Sequence, residues 1–440
     1  MTILRVEPQT TPLRGTVTVP GDKSISHRAV MLAGLASGTS HIRRWLPAGD
    51  TLATLAAMQA LGVTVAIHQP EPHAWDLTIT GQGLDGLQAP AGALDCRNAG
   101  TCMRLLAGIL AGQSFPSTLD GSEQLRRRPM RRIIAPLRQM GANIEAADDK
   151  APLHIRPGRL HGFRYEMPVA SAQVKSALLL AGLYAAGPTH VYQPGPARDH
   201  TERLLAALGV DLHVDGGWIT LTPPATRTLA PVQLTVPADP SSAAFLQVAA
   251  TIVPHSQVTI TNVGLNETRT GLLDLLLAMG ADLAVSSRRE TGGEPAGDLT
   301  GRFAELHATD AAGEVVVRAI DEFPVWAVAA SQAAGTSTLR DAAELRVKEV
   351  DRISVLAGEL RRLGVVLAEE ADGFTVVGPG RVQGGQVDSH GDHRLGMALA
   401  VAGLVAAAPV YIHHADCIAD SFPGFVSTMQ ALGAQMAWVA

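Results

Sequence analysis

The 440-residue sequence has few cysteines and few aromatic residues. Its three cysteines, Cys96, Cys102 and Cys417, are too scattered for a disulfide framework or a cysteine-based metal site, so we expect a reducing compartment. Only 8 Phe, 5 Trp and 4 Tyr are present. Proteins that bind single-stranded nucleic acids need aromatic stacking platforms. These two shortages disfavour a disulfide-rich secreted domain and a nucleic-acid partner.

Long hydrophobic runs are also missing. No stretch of about 18 apolar residues occurs, so we predict no transmembrane helix and no membrane partner. The longest apolar stretch, residues 397–410, contains glycines and alanines and is typical of a buried helix. The first fifteen residues lack the apolar segment of a secretory signal, so we expect a cytoplasmic protein.

The formal net charge is −6, from 35 Lys and Arg against 41 Asp and Glu. An acidic balance disfavours bulk binding to a nucleic-acid backbone. The charge is uneven, however: residues 22–238 contain 20 basic and 16 acidic residues (+4), and the remainder contains 15 and 25 (−10). Because one core rarely serves more than about 250–300 residues, the length predicts a two-domain α/β protein.

A bulky apolar residue, a glycine and then valine or alanine recur at the ends of six helical patterns. The glycines are Gly62, Gly141, Gly209, Gly280, Gly364 and Gly433. Successive glycines lie 68 to 84 residues apart, and six equal repeats of a 440-residue chain would be about 73 residues long. A glycine in the left-handed conformation just after a helix, followed at once by a strand, explains this pattern. We therefore predict six repeats.

The first repeat indicates the order of elements inside each unit. Its pattern predicts strands at residues 16–19, 39–46, 63–68 and 75–80, and helices at residues 25–35 and 51–61. The predicted unit is β-α-β-α-β-β. The other repeats follow this order less clearly, and residues 286–311 form a stretch rich in glycine and charge.

Each repeat turns polar where its first helix is expected to begin. The markers are Lys23, Asn98, Ser171, Ser241, Asp321 and Asp392. Helix N-caps explain the serines and aspartates, but cations in a first turn oppose the helix dipole. A bound anion in front of the helix would account for Lys23, Arg28, Lys175 and Arg394. Three such helix starts per domain, in two domains facing each other, would form an anion-binding cleft.

Two further segments combine charge with helical spacing. Residues 126–132 are the densest basic run, and Pro129 predicts that Arg128 lies at a helix start. Residues 344–352 are consistent with one helix in which Lys348 and Arg352 share a face, or with an exposed helix held by ion pairs. A simple cap could equally explain Asp321.

Several familiar signatures are absent. The sequence has no phosphate-binding loop of the Gly-x-x-x-x-Gly-Lys type, no dinucleotide-binding glycine pattern and no His-Glu-x-x-His. His413 and His414 lie in an apolar strand pattern, and His390 and His393 have no nearby cysteine. We therefore expect no metal site and no cofactor.

The chain contains, in this order over about residues 22–394, PGDKSISHR, RNAGTCMR, LRRRPM, SAQVK, ARDHTE, PADPSSAA, DEFP, ELRVKEVDR and GDHR. Together these stretches resemble the 3-phosphoshikimate 1-carboxyvinyltransferase family, the 5-enolpyruvylshikimate-3-phosphate synthases. The resemblance implies two lobes of three β-α-β-α-β-β units each, the inside-out α/β barrel of the enolpyruvyl transferases. Residues 22–238 would form a continuous basic lobe, and residues 1–21 and 239–440 an acidic one.

The resemblance also implies the reaction and its residues. The family transfers the enolpyruvyl group of phosphoenolpyruvate to the 5-hydroxyl of shikimate 3-phosphate and releases phosphate. The implied shikimate 3-phosphate site consists of Lys23, Ser24, Arg28, Ser171, Ala172, Gln173, Arg198, Asp321 and Lys348. The implied phosphoenolpyruvate site consists of Lys23, Gly100, Arg128, Gln173, Arg352 and Arg394. Lys23, Asp321 and Glu349 are the implied catalytic residues, and a monomer is expected.

The chemistry suits these residue types. Protonation of the methylene carbon creates an electrophilic centre that the hydroxyl attacks, so one carboxylic acid and one carboxylate base are needed. We assign Glu349 as the proton donor and Asp321 as the base, and leave open which of them removes the methyl proton. The seven proposed cations are Lys23, Arg28, Arg128, Arg198, Lys348, Arg352 and Arg394. Together with the two carboxylates they give the site a formal charge of +5. The two phosphates and one carboxylate of the substrates carry about −4 to −5, so the filled site would be close to neutral.

Two other functions are weighed against this one. The sister enzymes that transfer the same group to a UDP-sugar typically carry a cysteine in the loop of the second unit, where residues 115–121 here contain none. A non-catalytic polyanion binder could use the arginines of residues 126–132. The resemblance also bears on inhibition by glyphosate. The glyphosate-tolerant branch of the family is resembled by the stretches GDKS, RPMRR, SAQVK and residues 266–269, whereas Gly100 leaves room for that inhibitor. Some relatives have a lysine in the segment that corresponds to residues 418–423, and this chain has none there.

Overall fold

The computed structural model describes residues 2–439 and divides the chain into two compact units. We call the unit formed by Gly21–Val236 and Glu290–Glu294 the continuous unit, and the unit formed by the rest of the chain the split unit. Each unit has its own hydrophobic core.

Within residues 2–439 there are fourteen α-helices. They are α1 (Lys23–Leu35), α2 (Gly49–Ala60), α3 (Gly100–Ala111), α4 (Glu123–Arg127), α5 (Arg131–Gln139), α6 (Ala172–Gly182), α7 (His200–Ala207), α8 (Pro240–Ile252), α9 (Gly271–Ala278), α10 (Glu314–Arg318), α11 (Phe323–Gln332), α12 (Arg352–Arg362), α13 (His393–Leu404) and α14 (Phe425–Ala431). Short 3₁₀ turns occur at Ala147–Asp149, Glu267–Arg269, Ala343–Val347 and Ala415–Asp420.

The same residues contain twenty-three strands. They are β1 (Ile3–Val6), β2 (Arg14–Val17), β3 (Ser37–Trp45), β4 (Thr64–Glu71), β5 (Ala74–Gln82), β6 (Leu94–Asp95), β7 (Ser117–Asp120), β8 (Asn143–Glu145), β9 (Leu153–Arg156), β10 (His161–Glu166), β11 (Ala186–Tyr192), β12 (Asp211–Asp215), β13 (Trp218–Thr222), β14 (Gln233–Thr235), β15 (Gln257–Gly264), β16 (Asp282–Thr291), β17 (Glu294–Arg302), β18 (Gly335–Leu339), β19 (Val366–Glu370), β20 (Gly373–Gly378), β21 (Gly385–Asp388), β22 (Val410–His413) and β23 (Met436–Val439).

The strands form six small sheets, which confirms the predicted α/β class. The sheet orders are β14-β3-β5-β4, β6-β7-β9-β8, β10-β11-β13-β12, β16-β17-β15-β2, β18-β20-β19 and β21-β22-β1-β23. The third repeat shows the unit most clearly: β10 and β11 are parallel and connected by α6, and β13 pairs antiparallel with both β11 and β12. This is the β-α-β-α-β-β order expected from the sequence.

The six predicted glycines end the second helix of their repeats. All six have positive φ angles between 81° and 100°, and each follows the C-cap residue of α2, α5, α7, α9, α12 or α14. An L-residue other than glycine adopts this conformation only at a cost. The recurring signal therefore has the predicted cause.

The first helix of each repeat is buried on nearly all sides. In α13, for example, all twelve residues are buried. Alanine and glycine allow such a helix to be surrounded by neighbours, and a helix that is apolar all round belongs in a core. The prediction that the apolar stretch 397–410 is one buried helix is wrong in its C-terminal part, because α13 ends at Leu404 and β22 begins at Val410.

The predicted first strand, residues 16–19, is wrong as a member of the first sheet. The strand spans Arg14–Val17 and pairs in parallel with β15 of the fourth repeat. The first sheet takes its parallel edge strand from β14, at the other end of the continuous unit. β1 similarly lies in the middle of the sixth sheet, between β22 and β23. Local sequence predicts a strand but not its partner.

The glycine- and charge-rich stretch contains β17 and the turn before it. β16 and β17 form a hairpin whose turn, Glu290–Glu294, belongs to the continuous unit. There the Thr291 hydroxyl accepts a hydrogen bond from the Thr235 amide at 3.1 Å, and the Arg203 guanidinium donates to the Gly293 carbonyl at 3.1 Å.

Among the helices of residues 2–439, none is long and apolar enough to span a membrane.

Candidate active site

The polar markers of the sequence mark the starts of the first helices. Each of the six lies within two residues of the first residue of α1, α3, α6, α8, α11 or α13. Asp22, Ser171, Asp239 and Asp392 accept hydrogen bonds from the first-turn amides of their helices. The capping interpretation is therefore correct for Ser171 and Asp392, and it is wrong for Ser241, because Asp239 is the N-cap of α8. The charged side chains beside the caps need a separate explanation.

Arg28 connects the first and third repeats of the continuous unit. Its Nε donates to the Thr201 hydroxyl at 2.7 Å, Nη2 to the Ser176 hydroxyl at 2.8 Å and Nη1 to the Ser24 carbonyl at 2.9 Å. Burial lowers the pKa of Arg28 to about 10, with the Glu202 carboxylate opposing the shift. Arg28 therefore remains a cation at neutral pH, and the hydroxyl and carbonyl oxygens that accept these hydrogen bonds are uncharged.

Lys23 is the first residue of α1 and is half-buried. Its ammonium group lies 3.2 Å from the Asp50 carboxylate in the first turn of α2. Ser24, the next residue of α1, is also half-buried. These two side chains therefore start the helix that carries Arg28.

A second arginine of the continuous unit was not predicted. Arg104, buried in α3, donates from Nη1 to the Gln173 amide oxygen at 2.6 Å. The Gln173 amide group in turn donates to the Thr101 hydroxyl at 3.0 Å. Gln173 is thereby oriented by α3. Arg104 lies within the quoted stretch RNAGTCMR, and its place on an otherwise apolar helix was the available signal.

Gly100 begins α3 close to two guanidinium groups. A Cβ atom at this position would lie 2.8 Å from Arg104 Nη1 and 3.1 Å from Arg128 Nη1. The structure therefore brings Gly100, Arg104 and Arg128 together, as the implied phosphoenolpyruvate site requires for Gly100 and Arg128.

The predicted helix start at Arg128 is wrong. Arg128 is the C-cap of α4, with an extended backbone, and the next helix begins at Arg131 after the N-cap Met130. Proline often occupies the first turn of a helix, but here Pro129 lies in the connection between two helices. The arginines around it behave differently: Arg126 pairs with Asp120 at 2.5 Å, and Arg127 with Glu123.

Ser171 and Ala172 lie at the start of α6, where the Ser171 hydroxyl accepts a hydrogen bond from the Val174 amide at 3.5 Å. Lys175, one turn further on, does not need a bound anion. Its ammonium group is 2.5 Å from the Glu202 carboxylate and 2.6 Å from the Gln193 amide oxygen, and both members of the ion pair are buried.

The first turn of α7 connects the continuous unit internally. Thr201 contacts Arg28 and Ser176, and Glu202 pairs with Lys175. The His200 ring lies 2.7 Å from Glu294 in the hairpin turn. Arg198 lies two residues before the start of α7, and its positive charge contributes to lowering the pKa of Arg28.

In the split unit, Arg352 contacts three carboxylates. The distances are 2.6 Å to Glu349, 2.8 Å to Asp392 and 3.2 Å to Asp321. Arg352 is buried, and burial alone would lower its pKa, but these three carboxylates raise it above its ordinary value. The structure thereby brings together three predicted site residues, Arg352, Asp321 and Glu349, and adds Asp392, which sequence reasoning treated as a helix marker.

The predicted helix over residues 344–352 is wrong, although its ion pair forms. Ala343–Val347 is a 3₁₀ turn, Lys348 is its C-cap, and α12 begins only at Arg352. Lys348 lies 3.2 Å from Glu344 and 3.6 Å from Asp321. The break in the helix turns Lys348 and Arg352 to the same carboxylate, Asp321.

Arg394 lies on the other side of Asp321. Its Nη1 donates to the Asp321 carbonyl at 3.3 Å, and its Nη2 lies 3.8 Å from the Asp321 carboxylate. Asp321 does not cap α11, because the N-cap is Glu322, whose side chain makes no capping hydrogen bond. Asp321 is therefore left to interact with Lys348, Arg352 and Arg394.

The candidate site residues form one group in the continuous unit and another in the split unit, and the two groups differ in formal charge. In the continuous unit, Lys23, Arg28, Arg104, Arg128 and Arg198 against Asp50 give 5 − 1 = +4. In the split unit, Lys348, Arg352 and Arg394 against Asp321, Glu322, Glu344, Glu349 and Asp392 give 3 − 5 = −2. The first group suits anion binding, and the second combines acid, base and cation.

The histidines noted in the sequence make local contacts. His390 pairs with Glu359 at 3.0 Å, His414 with Asp388 at 2.9 Å, and His413 contacts the Gln386 side chain at 2.5 Å. Within the part of the chain that the structure describes, no three His, Cys, Asp or Glu side chains are placed to hold a metal ion.

Comparison with known proteins agrees with this picture. The fold is that of the enolpyruvyl transferases: the enolpyruvyl transferase NikO from Streptomyces tendae superposes with a TM-score of 0.81 over 100% of this chain and 99% of its own, at 18% identity. The sequence profile of the family described as EPSP synthase (3-phosphoshikimate 1-carboxyvinyltransferase) matches residues 8–429. The chain belongs to this family.

Individual relatives are similar over almost their whole length. A 3-phosphoshikimate 1-carboxyvinyltransferase of Citrifermentans bemidjiense is 48% identical over 96% of this chain and 97% of its own. One from Chloroflexus aurantiacus is 50% identical over 95% and 96%. The solved EPSP synthase from Acinetobacter baumannii has a TM-score of 0.90, 41% identity and full coverage of both chains.

Proposed function

We propose that this chain is the transferase that moves the enolpyruvyl group of phosphoenolpyruvate to the 5-hydroxyl of shikimate 3-phosphate, releasing phosphate. Membership of the EPSP synthase family supports this reaction. The observation that carries it at the level of residues is Arg352 in contact with Asp321, Glu349 and Asp392. An anion-binding cation among potential acids and bases is what an addition to an enolpyruvyl group needs.

The positively charged group would bind the phosphates. Arg28 is held by hydroxyl and carbonyl oxygens, so those contacts orient its guanidinium without neutralising it. With Lys23, Ser24, Ser171, Ala172, Gln173 and Arg198 it would bind shikimate 3-phosphate. Lys23, Gly100, Arg128 and Gln173 would contact phosphoenolpyruvate, with Arg104 orienting Gln173.

The carboxylates of the split unit's group, Glu349 and Asp321, would donate and accept the protons of the reaction. Binding an anion at Arg352 and Arg394 adds negative charge to a group whose formal charge is already −2, which favours protonation of one carboxylate. Glu349 would be that acid and would protonate the methylene carbon of phosphoenolpyruvate. Asp321, beside the Lys348 ammonium group, would accept the proton of the 5-hydroxyl. Glu349, now a carboxylate, could then remove the methyl proton as phosphate leaves, and Asp321 could do so only after passing its proton to the departing phosphate.

A phosphate-release assay with two acceptors tests this proposal. The purified chain and phosphoenolpyruvate are incubated with shikimate 3-phosphate or with a UDP-sugar. We expect phosphate release only with shikimate 3-phosphate. Release only with the UDP-sugar would identify the chain as a sister transferase, and release with neither would contradict enolpyruvyl transfer.

Binding to polyanions is a weaker alternative. Arg126 and Arg127 are paired with Asp120 and Glu123, and Arg131 lies 3.9 Å from Asp149. Salt-dependent retention on single-stranded DNA, without phosphate release, would favour it.

We further propose that the enzyme acts as a monomer in the cytoplasm. Light scattering tests the oligomeric state, and cell fractionation tests the location.

A further inference from the structure

We propose that Ser241 and Arg269 restrain the buried carboxylate of Glu322 and thereby keep Arg394 available to phosphoenolpyruvate. The inference rests on the proposed function, in which Arg394 binds that substrate. It assigns a role to two stretches of the sequence that the reaction has not yet used, residues 239–242 and 266–269. All four side chains belong to the split unit.

The four side chains form a continuous chain of contacts. Arg269 Nη2 donates to the Ser241 hydroxyl at 2.8 Å and lies 3.0 Å from the Asp239 carboxylate. The Ser241 hydroxyl donates to Glu322 Oε1 through a short hydrogen bond. Glu322 Oε1 lies 3.9 Å from Arg394 Nη1. All of these side chains are buried.

The direction of these hydrogen bonds is fixed by chemistry. An arginine side chain has only donors, so the Ser241 oxygen accepts from Arg269. Its one proton is then available to Glu322, and Glu322 Oε1 must be an acceptor. Asp239 and Ser241 hold Arg269 in turn, and Asp239 also caps α8. The restraint on Glu322 is thus anchored to the start of a buried helix.

The distance between Glu322 and Arg394 is long for two oppositely charged buried groups. Arg352 shows the alternative, with carboxylates at 2.6 and 2.8 Å. A close, bidentate carboxylate would occupy the guanidinium edge that an anionic substrate needs. The Ser241 hydrogen bond holds Oε1 at 3.9 Å from Arg394 Nη1, beyond hydrogen-bond distance. Without it, Glu322 would move towards Arg394 and compete with the substrate.

Three variants test this restraint. Ser241→Ala should raise the KM for phosphoenolpyruvate about tenfold, the effect of losing one charge-assisted contact. The KM for shikimate 3-phosphate should stay within about twofold. Glu322→Gln keeps an oxygen acceptor for Ser241 but loses the charge, so its KM for phosphoenolpyruvate should not rise. The double variant Ser241→Ala/Glu322→Gln should return to within about threefold of the parent enzyme.

A purely structural role for Ser241 makes a different prediction. It would raise both KM values together, and the double variant would keep the full defect; either result overturns the inference. Ser242→Ala is the matched control, because Ser242 is buried in the same helix turn and takes no part in these contacts. If Ser241→Ala does not fold, as judged by near-UV circular dichroism, Arg269→Lys replaces it in the same cycle. An inactive parent enzyme would contradict the proposed function instead.

Discussion

Gly100 leaves room for two arginines, and this predicts the effect of adding one methyl group. Gly100→Ala should raise the KM for phosphoenolpyruvate by about tenfold or more, because the Cβ would displace the guanidinium groups of Arg104 and Arg128. The free energy of unfolding should change by less than about 1 kcal/mol, since alanine is favoured over glycine in a helix. Steady-state kinetics and urea unfolding measure the two effects.

Gly92→Ala is the control for this substitution. A Cβ atom at Gly92 would have no heavy atom within 4 Å. Both variants add the same methyl group, so an equal change in KM in both would exclude steric displacement as the cause. An unchanged KM in Gly100→Ala would remove Arg104 and Arg128 from phosphoenolpyruvate binding.

His27 predicts a pH dependence of stability. Its Nδ1 lies 2.6 Å from the Thr54 hydroxyl, and burial lowers its pKa to about 3, from an ordinary value of 6.5. Between these values the unfolded chain binds a proton that the folded chain excludes, so stability falls as pH falls below 6.5. From pH 6.5 to 5 this one group should cost about 2 kcal/mol.

His27→Asn isolates that contribution, because asparagine does not titrate in this range. Urea unfolding at pH 7.5, 6.5 and 5.0 should give a flatter dependence of unfolding free energy on pH for the variant than for the parent protein. The two curves should diverge only below pH 6.5. Parallel curves would show that His27 binds its proton equally in both states.

At the residue scale, the sequence predicts which charged groups are unusual but not what neutralises them. Cations near helix starts led to Lys23, Arg28 and Lys175, but Lys23 lies 3.2 Å from Asp50 and Lys175 is paired with Glu202. Glu202 lies 27 residues away in sequence, in α7, and only the folded chain brings it near. Arg104 was missed, although it is the fifth residue of α3 and lies no deeper in its helix than Arg28 does in α1.

At the scale of elements, the buried Lys175–Glu202 pair connects α6 to α7. Lys175→Met should lower the free energy of unfolding by about 3–5 kcal/mol, because it leaves the Glu202 carboxylate buried without its cation. The double variant Lys175→Met/Glu202→Gln should be less destabilised than the single one. Urea unfolding of both, with the exposed Lys150→Met as control, measures the difference. A double variant that is less stable than the single would contradict this account.

Helix ends were predictable where one residue type determines them. Glycine is required after the second helix of each repeat, and all six positions were found from that signal. The segments around Pro129 and Lys348 were not, because their interrupted helices depend on tertiary contacts. Lys348 pairs with Asp321 from another part of the chain, and this pairing competes with continuation of a helix.

At the scale of the whole molecule, the repeat number followed from spacing, but the strand exchange did not. β2 and β14 have ordinary strand patterns, and each joins the sheet of a repeat far away in sequence. Edge strands pair through backbone groups, which every sequence carries, so pairing partners are decided by topology. The exchange also places all strands of the first three sheets within residues 37–235.

This topology predicts that residues 21–236 fold without the rest of the chain. The fragment contains three complete sheets and its own hydrophobic core, and it lacks only the hairpin turn whose Glu294 contacts His200. We expect cooperative urea unfolding and a native near-UV spectrum, with about 1–3 kcal/mol less stability from the loss of the His200–Glu294 contact. The fragment 21–230 is the matched control: it loses β14 with the buried Leu234, and also the buried Val236 that follows β14, and should unfold at lower urea or remain molten. Equal stability of the two fragments would show that the first sheet does not depend on its exchanged strand.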